Sequence, residues 1–326
     1  MAHMITSMGE ILVDFLPIAS ERKTEGFSMH AGGSPFNVAM GVARLGLPVA
    51  FAGKLSTDLF GRFLLARVQA EGVDTRFLLT SEAQSTLAFV AKENNEPVYA
   101  FYCEGTADTL LTPDDIPAAL FEETGILHFG SISLLLGTTP AAVVSTVERL
   151  KGRALLSFDP NVRPSLVRDE VAYRSLLDRV FALADIVKIS AADLDWLLPG
   201  LDVEEASARL LALGPALVVV TRGDKGVLAK REGQIWEVPA LDVQVVDTVG
   251  AGDAFSSGML AGFAERGVVS RSGLEHLQPE ELIQVLRLGA AVSGLTCTRA
   301  GADPPTRAEV SLFTSDAPGR YFSPGK

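Results

Sequence analysis

The chain has 326 residues, 48% of them hydrophobic, and a formal net charge of −12 at pH 7. This length and apolar content support one large α/β domain or two average domains. The negative charge argues against nucleic acid or an anionic membrane as a partner, and no apolar run approaches the roughly 18 residues of a membrane span. Two cysteines, Cys103 and Cys297, are too few for a disulfide framework and suit a reducing cytosol, so we expect a cytoplasmic protein.

The first predicted elements lie near the N-terminus. Residues 1–4 resemble an expression-tag remnant, and no basic-then-apolar leader precedes the first expected strand. That strand covers residues 11–13 and ends at Asp14, and strand ends are where ligands meet α/β sheets. Residues 15–30 are weakly periodic, and residues 27–30 are their best strand candidate. Asp14 is therefore a candidate ligand contact, with a simple turn residue as the alternative.

A glycine-rich segment leads into the first predicted helix. Gly32 and Gly33 allow a close approach of the backbone, and Pro35 suits the first turn of a helix that runs through Leu45. Asn37 lies near the start of this helix. It is either a ligand contact or a buried amide bonded to the backbone.

A small separate sheet is expected after the second helix. Residues 58–69 predict an amphipathic helix, and residues 86–90 and 98–102 predict two strands around a polar turn. Together with the segment 15–30, these strands would form a sheet apart from the main one. Phe101 lies in the second strand, either facing a ligand or as part of an ordinary core.

From about residue 125 onward, strands and helices alternate regularly. The predicted strands are residues 126–129, 154–158, 186–189 and 217–220, and the predicted helices are residues 139–150 and 169–183. Such alternation implies a parallel sheet that is covered on both faces. Arg163 follows one of these strands, so it lies at the ligand edge or forms part of a surface turn.

Residues 245–258 contain the most informative pattern. A β-branched pair leads into a turn with Gly250 and Gly252, and apolar residues then recur at a spacing of four, which predicts strand, glycine turn and helix. The free N–H groups of residues 250–253 at a helix N-terminus favour a bound anion. Asp253 there could take a proton from a nucleophile that attacks a bound phosphate, or it could simply cap the helix.

Residues 279–298 predict a last long helix, which becomes apolar and small over residues 288–294. These small residues either leave room for a flat ring or allow close helix packing. Neither a glycine-x-glycine-x-x-glycine after the first strand nor a lysine-serine/threonine at the end of a glycine loop occurs. The sequence therefore argues against a dinucleotide dehydrogenase and a Walker-type phosphate site.

Two motifs resemble those of one enzyme family. The nine residues Asp247-Thr248-Val249-Gly250-Ala251-Gly252-Asp253-Ala254-Phe255 resemble the C-terminal signature of the ribokinase-like (PfkB) sugar and nucleoside kinases, and residues 31–39 resemble their N-terminal signature. The resemblance extends over about residues 8–310. It implies a three-layer α/β/α sandwich with a mainly parallel central sheet, forming one catalytic domain over residues 5–312. It also implies a small β lid made by about 15–31 and 84–104, with residues 313–326 left as a tail.

The resemblance also implies roles for single residues. Asp253 would be the catalytic base, and Gly250, Ala251 and Gly252 would form the oxyanion hole. The implied substrate-binding residues are Asp14, Gly32, Gly33, Asn37, Phe101, Arg163 and Asp253. The implied ATP-binding residues are Lys188, Ser190, Thr221, Gly223, Gly226, Gly250, Gly252, Ala290 and Ser293. Mg²⁺ would enter with ATP.

The metal sites that the resemblance implies differ in kind. Ser190 and Asp193 stand where many relatives carry an asparagine and a glutamate that organise a magnesium–phosphate water network. Asp193 is a shorter substitute there, or only a helix-start residue. A monovalent cation, with K⁺ as the candidate, would lie near Asp247, Val249, Thr296, Arg299 and Gly301.

The expected activity is transfer of the γ-phosphoryl group of ATP to a hydroxyl of a small sugar. Residues 33–39, 130–134 and 159–163 are most similar to bacterial and plant fructokinases, which favours D-fructose and fructose 6-phosphate. A 2-keto-3-deoxygluconate kinase is the nearest rival, followed by another PfkB sugar or nucleoside kinase. Cys103 stands where both groups often carry an arginine, which favours a neutral sugar.

A catalytically silent sugar-binding regulator is an alternative of a different class. The intact Gly250 to Asp253 motif speaks against it, and the shortened Ser190/Asp193 pair is the one feature in its favour. A homodimer through an edge strand of the lid is also expected.

Overall fold

The computed structural model describes residues 4–20, 23–93 and 96–316. Most of the expected remnant and tail, residues 1–3 and 317–326, lies outside these ranges. Met4 already belongs to a strand, and the last described helix extends to Asp316, past the expected domain end at 312.

The described ranges contain thirteen strands in two sheets. The strands are β1 (Met4–Met8), β2 (Leu12–Ser20), β3 (Lys23–Gly32), β4 (Val49–Ser56), β5 (Leu78–Ser81), β6 (Leu87–Glu93), β7 (Glu96–Tyr102), β8 (Thr124–Gly130), β9 (Leu155–Asp159), β10 (Ile186–Ser190), β11 (Leu217–Thr221), β12 (Val227–Arg231) and β13 (Gln234–Val238). The α-helices are α1 (Ser34–Arg44), α2 (Leu59–Ala70), α3 (Ala118–Glu123), α4 (Thr139–Leu150), α5 (Glu170–Leu183), α6 (Ala191–Leu197), α7 (Val203–Ala212), α8 (Ala251–Glu265), α9 (Arg271–His276), α10 (Pro279–Thr296) and α11 (Arg307–Asp316).

The larger sheet is mainly parallel and has the strand order β13-β12-β11-β10-β9-β8-β1-β4-β5. Only the pairs β11–β12 and β12–β13 are antiparallel. From β1 the chain moves outward through β4 and β5, and it then returns to place β8 on the other side of β1. The order of the strands therefore reverses beside β1, and a crevice at such a point is the usual ligand site of an open α/β sheet.

Helices cover both faces of this sheet. Buried side chains of α3 to α7 pack on one face, and those of α1, α2, α8, α9 and α10 pack on the other. The central strands are buried along almost their whole length, as expected for parallel strands between two helical layers. The predicted three-layer α/β/α sandwich is confirmed.

The smaller sheet has the order β3-β2-β6-β7 and lies apart from the main sheet. Its two faces differ in composition. Phe15, Phe27, Phe89 and Tyr102 contact one another through their rings on one face. Residues one position along, including Asp14 and Phe101, point to the other face because side chains alternate along a strand.

Three local predictions are wrong. The first strand is β1 and not residues 11–13, which lie at or next to the start of β2 in the smaller sheet. Asp14 consequently lies inside a strand, one residue after the predicted end. Val245 and Val246 form no strand: they are 58% and 63% exposed, and the Val246 N–H donates to the Cys297 carbonyl. Because they lie in a loop with no neighbouring strand, their β-branched side chains do not decide the backbone conformation.

Candidate active site

A cavity of about 860 Å³ opens at the carboxyl ends of β1, β8, β9 and β10, beside the reversal of strand order. The smaller sheet lines one side of it through Asp14, Leu16 and Phe101. The cavity is also lined by Glu10, Gly33, Ser34, Asn37, Arg163, Lys188, Ser190, Asp193, Thr221, Asp247, Val249, Gly250, Gly252 and Asp253. The fold thus brings together residues from Glu10 to Ala300, which are 290 positions apart in the chain.

The N-terminus of α8 points into this cavity. Gly250 is its N-cap and has φ 74°, a left-handed conformation that glycine adopts without strain. A Cβ atom at Gly250 would lie 2.5 Å from the Cβ of Ala302, so the turn also needs the small residue for space. The Ala251 N–H donates to the Thr248 carbonyl, 3.2 Å away, and this contradicts its expected place among the free donors. The N–H groups of Gly250, Gly252 and Asp253 keep no protein acceptor in the part of the chain that the structure describes.

Asp253 lies in the first turn of α8 and is only 8% exposed. Both of its carboxylate oxygens are held by α1. The Ser34 hydroxyl donates to Oδ1 over 2.7 Å, and the Asn37 amide donates to Oδ2 over 2.8 Å. Gly33, with φ 106°, is the N-cap of α1, and a Cβ there would lie 2.7 Å from the Glu10 carbonyl oxygen. The two glycine-rich motifs therefore meet at one carboxylate.

The environment of Asp253 shifts its protonation in opposing directions. Burial raises the pKa of this carboxyl, because the charged form loses its hydration. The hydrogen bonds from Ser34 and Asn37 and the charge of Lys188 lower the pKa, whereas Asp159 raises it. The net direction is upward from the usual value of 3.8, which makes the carboxylate a stronger proton acceptor.

Lys188 lines the cavity next to the N-terminus of α8. Its ammonium pairs with Asp159 over 2.7 Å, and both side chains are almost fully buried. A Cβ at Gly252 would lie 2.9 Å from the Lys188 Nζ, so a glycine is needed where the ammonium approaches α8. The fixed positive charge and the helix N-terminus face the same space, and both favour an anion there.

The smaller sheet contributes Asp14 to the opposite side of the cavity. Its carboxylate packs on Gly32, where a Cβ atom would overlap Oδ2. Burial raises the pKa of Asp14 to about 6, and the charge of Arg163 opposes this increase. Arg163 is held by its own turn through hydrogen bonds to the Asn161 side chain and to the carbonyls of Asn161 and Val162. Asp14 and Arg163 thus line the same cavity.

Ser190 and Asp193 lie where β10 passes into α6. The Ser190 hydroxyl donates to Asp193 Oδ2 over 2.8 Å and accepts from the Asp193 N–H over 3.0 Å. Burial and the nearby Asp159 raise the pKa of Asp193. Within the described ranges, no cluster of three or more His, Cys, Asp or Glu side chains could hold a metal ion alone. A Mg²⁺ ion usually binds one or two carboxylates together with substrate phosphates and water, and Asp193 fits that pattern.

The loop before α8 contacts the segment after α10. The Asp247 carboxylate accepts the N–H groups of Val249 and Gly301, over 3.1 and 2.8 Å. The Cys297 carbonyl accepts the N–H groups of Val246 and Asp247. Thr296 and Arg299 lie in the same region. The buried Thr296 hydroxyl donates to the Val292 carbonyl within α10. The Arg299 guanidinium pairs with Asp303 and Glu309. Only backbone oxygens of these two residues are thus suited to a cation.

The remaining ATP-binding predictions differ in their position. Thr221 lines the cavity, and Gly223 and Gly226 form the turn between β11 and β12. Position 226 requires glycine, because a Cβ atom there would overlap the Val238 carbonyl oxygen. Ala290 and Ser293 lie on α10 and do not line the cavity.

Two residues of the cavity were missed by sequence reasoning. Glu10 is 2% exposed and accepts the Ser34 N–H over 3.2 Å and the Ser133 N–H over 3.2 Å, together with a short bond from the Ser133 hydroxyl. Burial raises the pKa of Glu10 to about 7. Ser34 lies in the N-terminal motif of residues 31–39, and the motif alone assigns it no role. An acid directly after Gly9, next to an apolar run, was the signal that could have identified Glu10.

The sequence argument for a neutral sugar requires Cys103 to line the same cavity as Asp253, and the structure places it elsewhere. It lines an adjoining cavity of about 700 Å³ and does not line the cavity of Asp253. The adjoining cavity contains Glu104 and Arg168, which face each other at 3.6 Å. The residue at position 103 therefore does not decide the charge around Asp253 in this structure.

Comparisons with known proteins agree with this geometry. The profile described as pfkB family carbohydrate kinase matches residues 2–309. The chain belongs to the pfkB family of carbohydrate kinases. The predicted family is confirmed, and a pfkB kinase is a phosphotransferase that acts on an alcohol group.

Individual pfkB relatives are similar along most of their length. A fructokinase of Rhizobium leguminosarum bv. trifolii is 36% identical over 86% of this chain and 85% of its own length. A crystal structure of fructokinase with bound ATP from Xylella fastidiosa has a TM-score of 0.90 at 33% identity, covering 98% of this chain and 100% of that one. A fructokinase double mutant from Vibrio cholerae O395 with fructose, ADP and potassium ion bound has a TM-score of 0.84 at 27% identity, covering 96% and 98%. None of the helices in the described ranges is both long and apolar enough to cross a membrane.

Proposed function

We propose that this pfkB kinase is an ATP-dependent fructokinase that forms fructose 6-phosphate. The observation that supports it best is the Asp253 carboxylate, held by Ser34 and Asn37 at the N-terminus of α8 and facing the Lys188 ammonium. A carboxylate beside an anion site is unfavourable for binding alone, but it is suited to remove a proton from an attacking hydroxyl.

The proposed mechanism is in-line transfer. The oxygen of the sugar hydroxyl attacks the γ-phosphorus of ATP while Asp253 takes the hydroxyl proton, and ADP leaves. The N–H groups of Gly250, Gly252 and Asp253 donate to the oxygens of the transferred group, where negative charge accumulates. Lys188 lies beside Gly252 and neutralises part of the same charge. The nucleotide would extend along Ser190, Thr221 and the glycine turn, with Ala290 and Ser293 nearest the base.

The walls of the cavity support a neutral sugar. Asp14, Asp253 and Glu10 all line this cavity, and the charge of Arg163 acts on Asp14. The buried Asn37 Oδ1 has no hydrogen-bond partner among the described residues, so it can accept a bond from a sugar hydroxyl. Hydroxyl groups satisfy acceptors of this kind, whereas a substrate carboxylate would add another negative charge. Gly32, Gly33 and Phe101 would contact the same sugar.

Two metal ions are part of the proposal. Mg²⁺ would be held by Asp193 together with the phosphates of ATP, and it would neutralise part of their negative charge. K⁺ would bind where the 247–249 loop meets the segment 296–301, through Asp247 and backbone oxygens. The contacts of Asp247 with Val249 and Gly301 support this, because they bring both segments together.

The smaller sheet is proposed to act as a lid and as a dimer contact. The face with Asp14 and Phe101 would close over the sugar and exclude water, which competes with the sugar hydroxyl for the phosphoryl group. The opposite face exposes Phe27 by 43% and Tyr102 by 64%, and a second copy would cover these rings. We place the enzyme in the cytoplasm, because it uses ATP and its two cysteines are free thiols.

The test is ADP release from Mg-ATP with D-fructose, 2-keto-3-deoxygluconate, ribose or adenosine as acceptor, with and without K⁺. We expect turnover on fructose, NMR of the product showing phosphate on O6, and a loss of at least roughly 10²-fold in kcat for Asp253→Asn. Asp202→Asn is the matched control, since Asp202 only caps α7. Preference for the keto-acid would refute the assignment of fructose. Sugar binding without turnover on any acceptor would favour the silent regulator.

A further inference from the structure

The catalytic carboxylate is connected to a second buried acid through one residue. Ser34 donates its hydroxyl to Asp253 Oδ1 over 2.7 Å, and its own N–H donates to Glu10 Oε1 over 3.2 Å. Glu10 is fixed in turn by Ser133, whose N–H and hydroxyl both donate to Oε2 and whose oxygen accepts the Glu10 N–H. This chain of contacts joins four elements: the β1–β2 loop, α1, α8 and the turn after β8.

Every member of this chain is buried. Glu10 is 2% exposed, Ser133 is 4% exposed, and Ser34 and Asp253 are 8% exposed. Hydrogen bonds to charged groups in such surroundings are strong, and water does not replace them easily. The backbone around Ser34 has little freedom, because a Cβ at the preceding Gly33 would lie 2.7 Å from the Glu10 carbonyl oxygen. The hydroxyl of Ser34 is thus held in one place relative to Asp253.

We propose, as an addition that rests on the kinase function above, that Ser34 is a positioning residue for the catalytic base and that Glu10 holds Ser34 in place. Ser34 aligns Oδ1 and favours the ionised carboxylate that must accept the sugar proton. Asn37 holds Oδ2, which leaves each oxygen a lone pair for the sugar hydroxyl. Neither Ser34 nor Glu10 accepts the transferred proton in this scheme.

The charges around Asp253 determine how its protonation should respond. Lys188 and Asp159 face it from β10 and β9, Asp14 faces it from the smaller sheet, and Glu10 lies behind Ser34. Lys188 and the two hydrogen-bond donors lower the pKa of Asp253, and burial and the neighbouring carboxylates raise it. Removing the Ser34 hydroxyl deletes one stabilising contact of the ionised form, so the pKa of Asp253 should rise.

The first experiment is a pH titration that needs no turnover. Asp253 is followed by ¹³C NMR of carboxyl-labelled aspartate in the free protein and is assigned by its absence in Asp253→Asn. We expect its midpoint to rise by about one pH unit in Ser34→Ala and to return in Ser34→Thr, which restores the hydroxyl. Ser207→Ala, which deletes a buried hydroxyl in α7, is the matched control and should leave it unchanged. An unchanged midpoint in Ser34→Ala overturns the proposal even if the kinase assignment is correct.

The second experiment is kinetic. In Ser34→Ala the acidic limb of the kcat/KM profile should move by the same amount as the NMR midpoint, with kcat at the plateau reduced about fivefold and KM for ATP unchanged. A purely structural role would lower the melting temperature without moving that limb. An inactive wild type would refute the proposed function, and the NMR result would still decide the role of Ser34.

The part of Glu10 is tested through non-additivity. Glu10→Gln should lower kcat about fivefold in the wild-type background but less than about twofold in the Ser34→Ala background, because its effect passes through Ser34. Equal effects in both backgrounds would remove Glu10 from this chain of contacts.

Discussion

The protonation of Glu10 should make the stability of the protein depend on pH. Burial raises the pKa of this carboxyl from 4.5 to about 7. Between these values the folded protein binds more protons at Glu10 than the unfolded chain does. The resulting contribution to the free energy of unfolding is fully present below pH 4.5 and is lost as the pH rises through 7. The direction is opposite to that of an ion-paired carboxylate.

The size of this effect follows from the two pKa values. The full difference corresponds to about 3 kcal/mol, and the part that falls between pH 5 and pH 8 is about 2.5 kcal/mol. Glu10→Gln keeps the shape of the side chain but does not titrate. Its altered contacts with Ser133 add a constant offset and no pH slope.

The assay is urea unfolding of the wild type and of Glu10→Gln at four values between pH 5 and pH 8. The difference in the free energy of unfolding, wild type minus variant, should fall by about 2.5 kcal/mol across this range. Asp14, whose pKa burial raises to about 6, titrates in both proteins and cancels, whereas the charge of Asp108 acts on Glu10 and forms part of the measured slope. Parallel pH curves for the two proteins would show that Glu10 is already ionised in the folded state at pH 5.

Three further predictions concern the cavity and the smaller sheet. Lys188→Met should lower kcat by about 10²-fold and destabilise the fold, because it leaves the buried Asp159 carboxylate unpaired. Lys151→Met is the control, because it breaks an ion pair with Asp185 far from the cavity. A thermal melt and an activity assay should show that this control loses stability alone. Gly250→Ala should lose more stability and kcat than Gly267→Ala, because both have φ near 70° but only the first lacks space for a Cβ. Phe27→Lys should convert a dimer into a monomer in light scattering; an unchanged mass would remove this face from the interface.

The sequence predicted the main architecture because its signals are local. The regular alternation after residue 125 predicted the parallel sheet and its two helical layers, and α4 begins and ends at the predicted residues. The helix at 58–69 was identified from its apolar spacing, and Asp58 caps it as an acceptor for the Gly61 N–H. Strand β1 was missed, because its five buried residues are mixed in type and lie beside the presumed tag remnant.

The candidate site was predictable only in part. The glycines and Asp253 form a contiguous motif, so their meeting at a helix N-terminus could be derived from residue order. The pairing of Lys188 with Asp159 and the contact of Ser34 with Asp253 join residues on separate elements, and no local pattern encodes them. Cys103 shows the same limit, because it follows the end of β7 at Tyr102 and lines the adjoining cavity, which its position in the sequence does not reveal.

The contact of Ser34 and Asn37 with Asp253 spans 219 and 216 positions of the chain. A ribosome must therefore synthesise more than three quarters of the protein before the base and its two donors can meet. Until then the Ser34 hydroxyl and the Asn37 amide lack the carboxylate that accepts from them in the folded protein. The return of phosphoryl transfer during refolding should consequently report the docking of α8 on α1, and we expect a probe of helix content to recover earlier. Two fragments divided at an exposed turn between these helices should each lack activity and regain it only when mixed.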